Sequence, residues 1–163
     1  MKKRILPLLM AFTLIFPAFS VFADEVSPQN TTSSPSVTAE TAVLIDAASG
    51  EVLYDKNADQ KMFPASITKL MTILLALEHG ELTDEITFSH DAIYSIEPGS
   101  AHIAIQEGET LTLEQVLRAI ILRSANEASN GVAEFVDGSI TEFTKHMTAR
   151  AKELGCKNTN FLT

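Results

Sequence analysis

Apolar residues recur between positions 66 and 78 at helical spacing. Ile67, Leu70, Met71, Ile73, Leu74, Leu75 and Leu77 cover most of the circumference of such a helix, which is therefore expected to be central and buried. Pro64 suits its start, where a missing N–H is no loss. Glu78, His79 and Gly80 end it, with Gly80 at the position that closes a helix in the left-handed conformation. Upstream, the short β-prone runs Ala42 to Asp46 and Glu51 to Tyr54 are joined by Ala47-Ala48-Ser49-Gly50, which predicts a hairpin.

Beyond Gly80, residues 82–112 read as short strands, turns and one helical turn, broken firmly at Glu97-Pro98-Gly99-Ser100. Helical signals return at Thr112, where Thr-x-x-Gln to Gln115 forms a capping box ahead of Val116, Leu117, Ile120, Ile121 and Leu122. That helix is interrupted at Ser124-Ala125-Asn126 and resumes to about Val136. Ser139-x-x-Glu142 is a second capping box, and Phe143, Met147, Ala151 and Leu154 form the stripe of a last helix ended by Gly155. Helices dominate, with β material confined to the early hairpin and short runs around residues 86–105, so the fold class is α+β. No internal repeat is present.

The first residues follow a different pattern. Lys2, Lys3 and Arg4 precede an apolar run from Ile5 to about Phe19, and Val21-Phe22-Ala23 is a small-residue exit. Residues 1–23 are read as a secretory signal peptide cut by signal peptidase after Ala23, which places the mature protein outside the cytoplasm. An uncleaved anchor is the lesser reading, because the run is short and carries Pro7 and Pro17. Residues 24–40 are Ser, Thr and Pro with almost nothing to bury, a flexible leader to a folded part at 41–163.

Charge then narrows the partners. The whole chain carries 12 Lys+Arg against 21 Asp+Glu; removing residues 1–23 takes three basic and no acidic residues, so the formal charge moves from -9 to -12. An acidic chain without a basic cluster is a poor nucleic-acid binder and does not cling to anionic lipid. Cys156 is the single cysteine, which excludes an intrachain disulfide, and it reads as a small half-buried residue near a helix end. His79, His90, His102 and His146 show no metal-ligand spacing and read as surface or structural groups.

Two polar constellations carry candidate chemistry. Ser66 and Lys69 lie three residues apart at the head of the apolar helix, on one face, near enough for an amine to take a proton from a hydroxyl. Helix-head N–H groups and the dipole favour negative charge and depress a nearby lysine. The structural alternatives are Ser66 as an N-cap and Lys69 as a snorkelling surface residue. Ser124 and Asn126 interrupt a hydrophobic helix and would offer a hydroxyl and an amide to the first pair; the alternative for Ser124 is a cap for a helix starting at Glu127.

The segments "FPASITKLMT", "ILRSANEAS" and, upstream, "AVLIDAASGEVLYDKNAD" together resemble the serine D-alanyl-D-alanine carboxypeptidases, the low-molecular-weight penicillin-binding proteins, which share the penicilloyl-serine transferase fold with class A β-lactamases. The similarity runs from about Thr41 to the end, where "AKELGCKNTNFLT" resembles the segment after the family's Ser-x-Asn helix. The resemblance implies that Ser66 attacks the D-alanyl-D-alanine carbonyl of a peptidoglycan pentapeptide and that Lys69 takes its proton. Ser124 would relay a proton to the leaving amine, and Asn126 would hold the substrate amide and Lys69. β-Lactam antibiotics would act as covalent inhibitors, and no metal or organic cofactor enters the scheme that the resemblance implies. The family's third element, Lys-Thr-Gly or Lys-Ser-Gly on a strand beside the nucleophile, does not occur in these 163 residues. The expectation is therefore the N-terminal part of an incomplete β-lactamase/transpeptidase-like α/β sandwich, whose hairpin presents an unpaired edge and a bare apolar face. A β-lactamase-like hydrolase and a noncatalytic remnant or wall-binding protein are the alternatives.

Overall fold

The computed structural model describes residues 35–162, so the expected signal peptide and the first part of the expected leader lie outside the described residues. The described residues divide into two compact units, the first ending at Gln60 and the second starting at Lys61.

In the first unit, β1 (Ala42–Ile45) and β2 (Val52–Lys56) form the expected antiparallel hairpin, Val43 opposite Asp55 and Leu44 opposite Tyr54, with a register shift at Leu44/Ile45. Asp46 organises its turn. The Asp46 carboxylate accepts the Ser49 N–H at 2.7 Å, the Ser49 hydroxyl at 2.8 Å and the Ala48 N–H at 3.1 Å, bonds that hold its pKa below the usual carboxylate value. Gly50, at φ +75, occupies the left-handed position of that turn. Lys56 Nζ donates to the carbonyls of Val37 and Ala39, so the main chain is held to the hairpin from Val37 onward. Val43, Leu44, Ile45, Val52 and Leu53 are all more than half exposed.

The second unit is helical around a small sheet. A 3-10 turn (Ala65–Thr68) leads into α1 (Lys69–His79). β3 (Glu85–Thr87) pairs antiparallel with β4 (Thr110–Thr112), and α2 (His90–Tyr94) lies between them in sequence. Then follow α3 (Leu113–Arg123), α4 (Asn126–Asp137) and α5 (Ile140–Glu153). The α+β class is thus borne out. The second strand of the small sheet lies at 110–112, outside the expected 86–105 range, because the left-handed Gly108 turns the chain so that the Phe88 N–H meets the Glu109 carbonyl and the Gly108 N–H meets the Phe88 carbonyl.

The core forms where α1, α3, α4 and α5 meet the small sheet: Leu75, Phe88, Leu113, Val116, Ile120, Val132, Phe143 and Met147 are buried. Each such large apolar side chain contributes about 1.5–3 kcal/mol on burial. Helix α4 packs on α1, α2, α3 and α5 and also on β3, and its approach to Phe88, just after β3, needs Gly131, where a Cβ would lie 2.4 Å from the ring.

Several local expectations change. Helix α1 is not buried all round: Thr72, Leu75 and Ala76 are buried, while Leu70 is 67% and Leu77 53% exposed, because its neighbours among the described residues cover one side only. Gly80 does not close α1 in the left-handed conformation. It is extended, at φ -141 and ψ 158, and glycine is needed there for space, since a Cβ would lie 2.7 Å from the Phe135 ring. The box at Thr112 and Gln115 is complete, whereas at Ser139 only the Ser139 oxygen accepts the Glu142 N–H and the Glu142 carboxylate turns to Lys145 instead. Leu154 leaves the α5 stripe, 52% exposed, because the helix has ended at Glu153. Cys156 is exposed, not half-buried: its N–H reaches back to the Ala151 carbonyl around Gly155, and the thiol is left outside.

Candidate active site

The turn before α1 fixes the first pair. The Lys69 N–H bonds back to the carbonyls of Ser66 and Ile67. In a 3-10 turn side chains three residues apart eclipse, so Ser66 and Lys69 project from one face. The turn starts at Ala65, which holds the left-handed φ of 50 without being glycine, a conformation that costs free energy and has to be imposed by its surroundings. Ser66 caps nothing: the cap position is Pro64, and no side chain closes the turn.

The second pair sits on another corner. Helix α3 ends on Ser124 in the left-handed conformation, φ 56 and ψ 31, and its N–H returns to the carbonyls of Ala119 and Ile120. Helix α4 begins at Asn126, so its cap position is Ala125, one residue past Ser124, and no side chain caps it. The Ser124 hydroxyl is therefore available, and it donates to Ser66 Oγ at 2.7 Å.

The lysine is held in the same way. Lys69 Nζ donates to Asn126 Oδ1 at 2.8 Å, and Asn126 Nδ2 donates to the Ala101 carbonyl at 3.1 Å. Lys69 is half-buried, and burial pushes its ammonium pKa below the usual 10.5, toward the neutral amine a base requires. The four expected residues are thus joined in two pairs, and Ser66, Lys69 and Asn126 line a cleft of about 840 Å³ that Thr72, Ser95, Glu97, Ser100 and Asn130 also line. Hydroxyl, amine and amide side chains so placed can activate a serine, move its proton and hold an amide substrate.

Sequence reasoning missed three contributors. Asn130 follows Asn126 by one helical turn, a spacing that placed it on the same face. Its Nδ2 ties α4 to the Ala92 carbonyl and the Ser95 hydroxyl. Glu127 is 1% exposed and accepts the Ile103 N–H at 2.6 Å. The left-handed Ala65 left no trace in the sequence, since alanine is not a residue that such backbone selects. Among the described residues no group of three or more His, Cys, Asp or Glu could hold a metal ion.

Known proteins are similar to this chain over most of its length. A family model described as D-alanyl-D-alanine carboxypeptidase matches residues 28–163. The D-alanyl-D-alanine carboxypeptidase DacF of Bacillus subtilis is 40% identical over 166 residues, covering 99% of this chain and 41% of its own. DacC of Escherichia coli is 37% identical over 161 residues, covering 94% of this chain and 39% of its own. Among solved structures, penicillin binding protein 5 from Haemophilus influenzae matches with a TM-score of 0.71 at 34% identity, over 79% of this chain and 39% of that one. The chain belongs to the D-alanyl-D-alanine carboxypeptidase family. It spans about two fifths of the length of these relatives.

Proposed function

We propose that the protein is a serine D-alanyl-D-alanine carboxypeptidase that removes the terminal D-alanine from peptidoglycan pentapeptides outside the cytoplasm. The observation that carries this reading is the pairwise joining of Ser66 to Ser124 and of Lys69 to Asn126, with Ser66, Lys69 and Asn126 lining one cleft.

In the first half-reaction Ser66 Oγ bonds to the carbonyl carbon between the two D-alanines while Lys69 accepts the hydroxyl proton. The C–N bond then breaks, and the departing amine of D-alanine takes a proton relayed through Ser124. In the second half-reaction water attacks the ester, the acyl–oxygen bond breaks, and Ser66 regains its proton as the shortened peptide leaves. Asn126 holds both the substrate amide and the Lys69 amine. Negative charge at the carbonyl oxygen is favoured near the helix head, where backbone N–H groups and the α1 dipole act together. A β-lactam enters by the same attack: its strained amide opens, and Ser66 keeps the penicilloyl group as an ester. Export fits the same scheme, with residues 1–23 as the signal peptide cut near Ala23 and residues 24–40 as the spacer to the catalytic part. Among the described residues no helix is long and apolar enough to cross a membrane.

The test is an intact mass of the protein secreted from its native gene, before and after brief exposure to labelled penicillin, with D-alanine release from a pentapeptide measured in parallel. One penicilloyl group per chain, lost in Ser66→Ala and accompanied by D-alanine release, supports the proposal. Absence of both sinks it, and an adduct that forms and clears as fast as the free drug is consumed assigns the site to β-lactam hydrolysis instead.

A further inference from the structure

Glu127 stands beside the site without belonging to it. Its side chain is 1% exposed, Oε1 accepts the Ile103 N–H at 2.6 Å, and Oε2 has no partner among the described residues. A buried carboxyl group with one used oxygen is costly in an otherwise apolar core, so what it holds is informative.

It holds Ile103, at the end of the stretch 101–103. This segment is exposed, forms no strand, and precedes Ala104 at the left-handed φ of 63. Asn126 binds the same stretch one residue before Glu127 in α4: its backbone N–H and its Nδ2 both donate to the Ala101 carbonyl, at 2.9 and 3.1 Å. That carbonyl decides which way the Asn126 amide faces. With Nδ2 on Ala101, Oδ1 must turn to Lys69, where it accepts at 2.8 Å. The flipped amide would set its NH2 group, a donor, against the lysine's own N–H donors.

We propose that Glu127 is a positioning residue: by clamping residues 101–103 to the first turn of α4, it keeps the Ala101 carbonyl in place, and that carbonyl holds the Asn126 amide oxygen toward Lys69. The kinetic consequence rests on the acyl-serine reading above; the orientation of Asn126 does not. The clamp needs an acceptor at Oε1 and no charge, which separates two variants. Glu127→Gln keeps the acceptor. Glu127→Leu keeps most of the volume and removes it.

The experiment uses the full product of the native gene and two readouts. The first is the side-chain 15N–1H pair of Asn126, identified by its disappearance in Asn126→Ala. It is expected to be distinct and slow to exchange in the wild type and in Glu127→Gln, and to move to free-amide positions with fast exchange in Glu127→Leu. The second is the rate of Ser66 labelling by fluorescent penicillin, expected to fall about tenfold or more in Glu127→Leu, as small misplacements of a reacting group do. Glu127→Gln should restore most of that rate. In the Asn126→Ala background Glu127→Leu should change it less than about twofold, because two residues acting through one contact are not additive. An amide pair indifferent to Glu127→Leu overturns the clamp, as does an undiminished effect in the Asn126→Ala background. A wild type that never labels at Ser66 but whose amide pair responds to Glu127→Leu keeps the clamp and removes the acyl-serine reading.

Discussion

Ser124 Oγ donates to Ser66 Oγ across 2.7 Å, although 58 positions separate the two in the chain. Each serine is carried on a main-chain corner: Ser124 is itself left-handed, and Ser66 follows the left-handed Ala65. The direction of each hydroxyl is thus set by backbone fixed between packed segments, which lowers the entropy lost in aligning the pair.

From this contact we expect Ser124→Ala to leave the fold unchanged and to slow penicillin labelling by about 10²–10⁴-fold, the range for a lost proton-transfer group. Ser66→Ala should abolish the adduct. Gel fluorescence after timed quenching measures both, and a Ser124→Ala rate within twofold of wild type would remove Ser124 from the proton path.

Lys69 gives a pH prediction. Burial lowers its pKa from 10.5, and the lysine serves as a base only in the neutral form, so the labelling rate should rise with pH along a limb whose midpoint lies below 10.5. Lys69→Arg, charged at every accessible pH, should lose that limb. Rates measured from pH 5 to 10 decide it, and a limb that persists in Lys69→Arg assigns the titration to another group.

Gly131→Ala tests the packing that supports the site. The new Cβ would lie 2.4 Å from the ring of Phe88, which is 1% exposed and has nowhere to move. The substitution should cost about 1–3 kcal/mol, despite alanine's better helix propensity. Thermal unfolding followed by circular dichroism measures it, and an unchanged or raised Tm would mean that the ring relaxes freely.

Arg150 and Glu78 join α5 to α1 by two charge-assisted bonds, Nη2 to Oε1 at 2.6 Å and Nε to Oε2 at 3.0 Å. The hydrogen bond from Arg150 holds the Glu78 pKa below its usual 4.5. A depressed carboxyl stabilises the fold above its unfolded pKa and loses that contribution as pH falls through the folded one. The stability gap between wild type and Glu78→Gln should therefore be full near neutral pH and close in acid below 4.5. Urea titrations at several pH values test this, and a gap independent of pH would assign the effect to packing.

Local signals were the ones the sequence carried well. The Thr112 box, the interruption at Ser124 and the glycine of the hairpin turn each depend on residues within four positions of one another, and each is found where expected. Errors arose where a distant neighbour decides. Ile121 and Leu122 continue the apolar run of α3 yet are 64% and 74% exposed, while Val116 and Ile120 are buried against α4 and α1. Gly80 does end α1, but in an extended conformation rather than the left-handed one, and what requires glycine there is the ring of Phe135, 55 residues on, beyond the reach of any local rule. The four candidate residues could be singled out because each pair is local; that the pairs touch, and that Glu127 accepts the Ile103 N–H, depends on how α1, α3 and α4 pack.

Helix α4, the one element that packs on all the other helices of its unit, also carries Asn126 in its first turn. Melting it would expose Phe88, Val132 and the small sheet together, so the inner amides at Val132 and Ala133 should exchange with solvent only through cooperative opening of the whole unit. The Asn126 amide is therefore carried by the helix whose loss would cost the unit its core, so it can keep its place opposite Lys69 only while the unit stays folded.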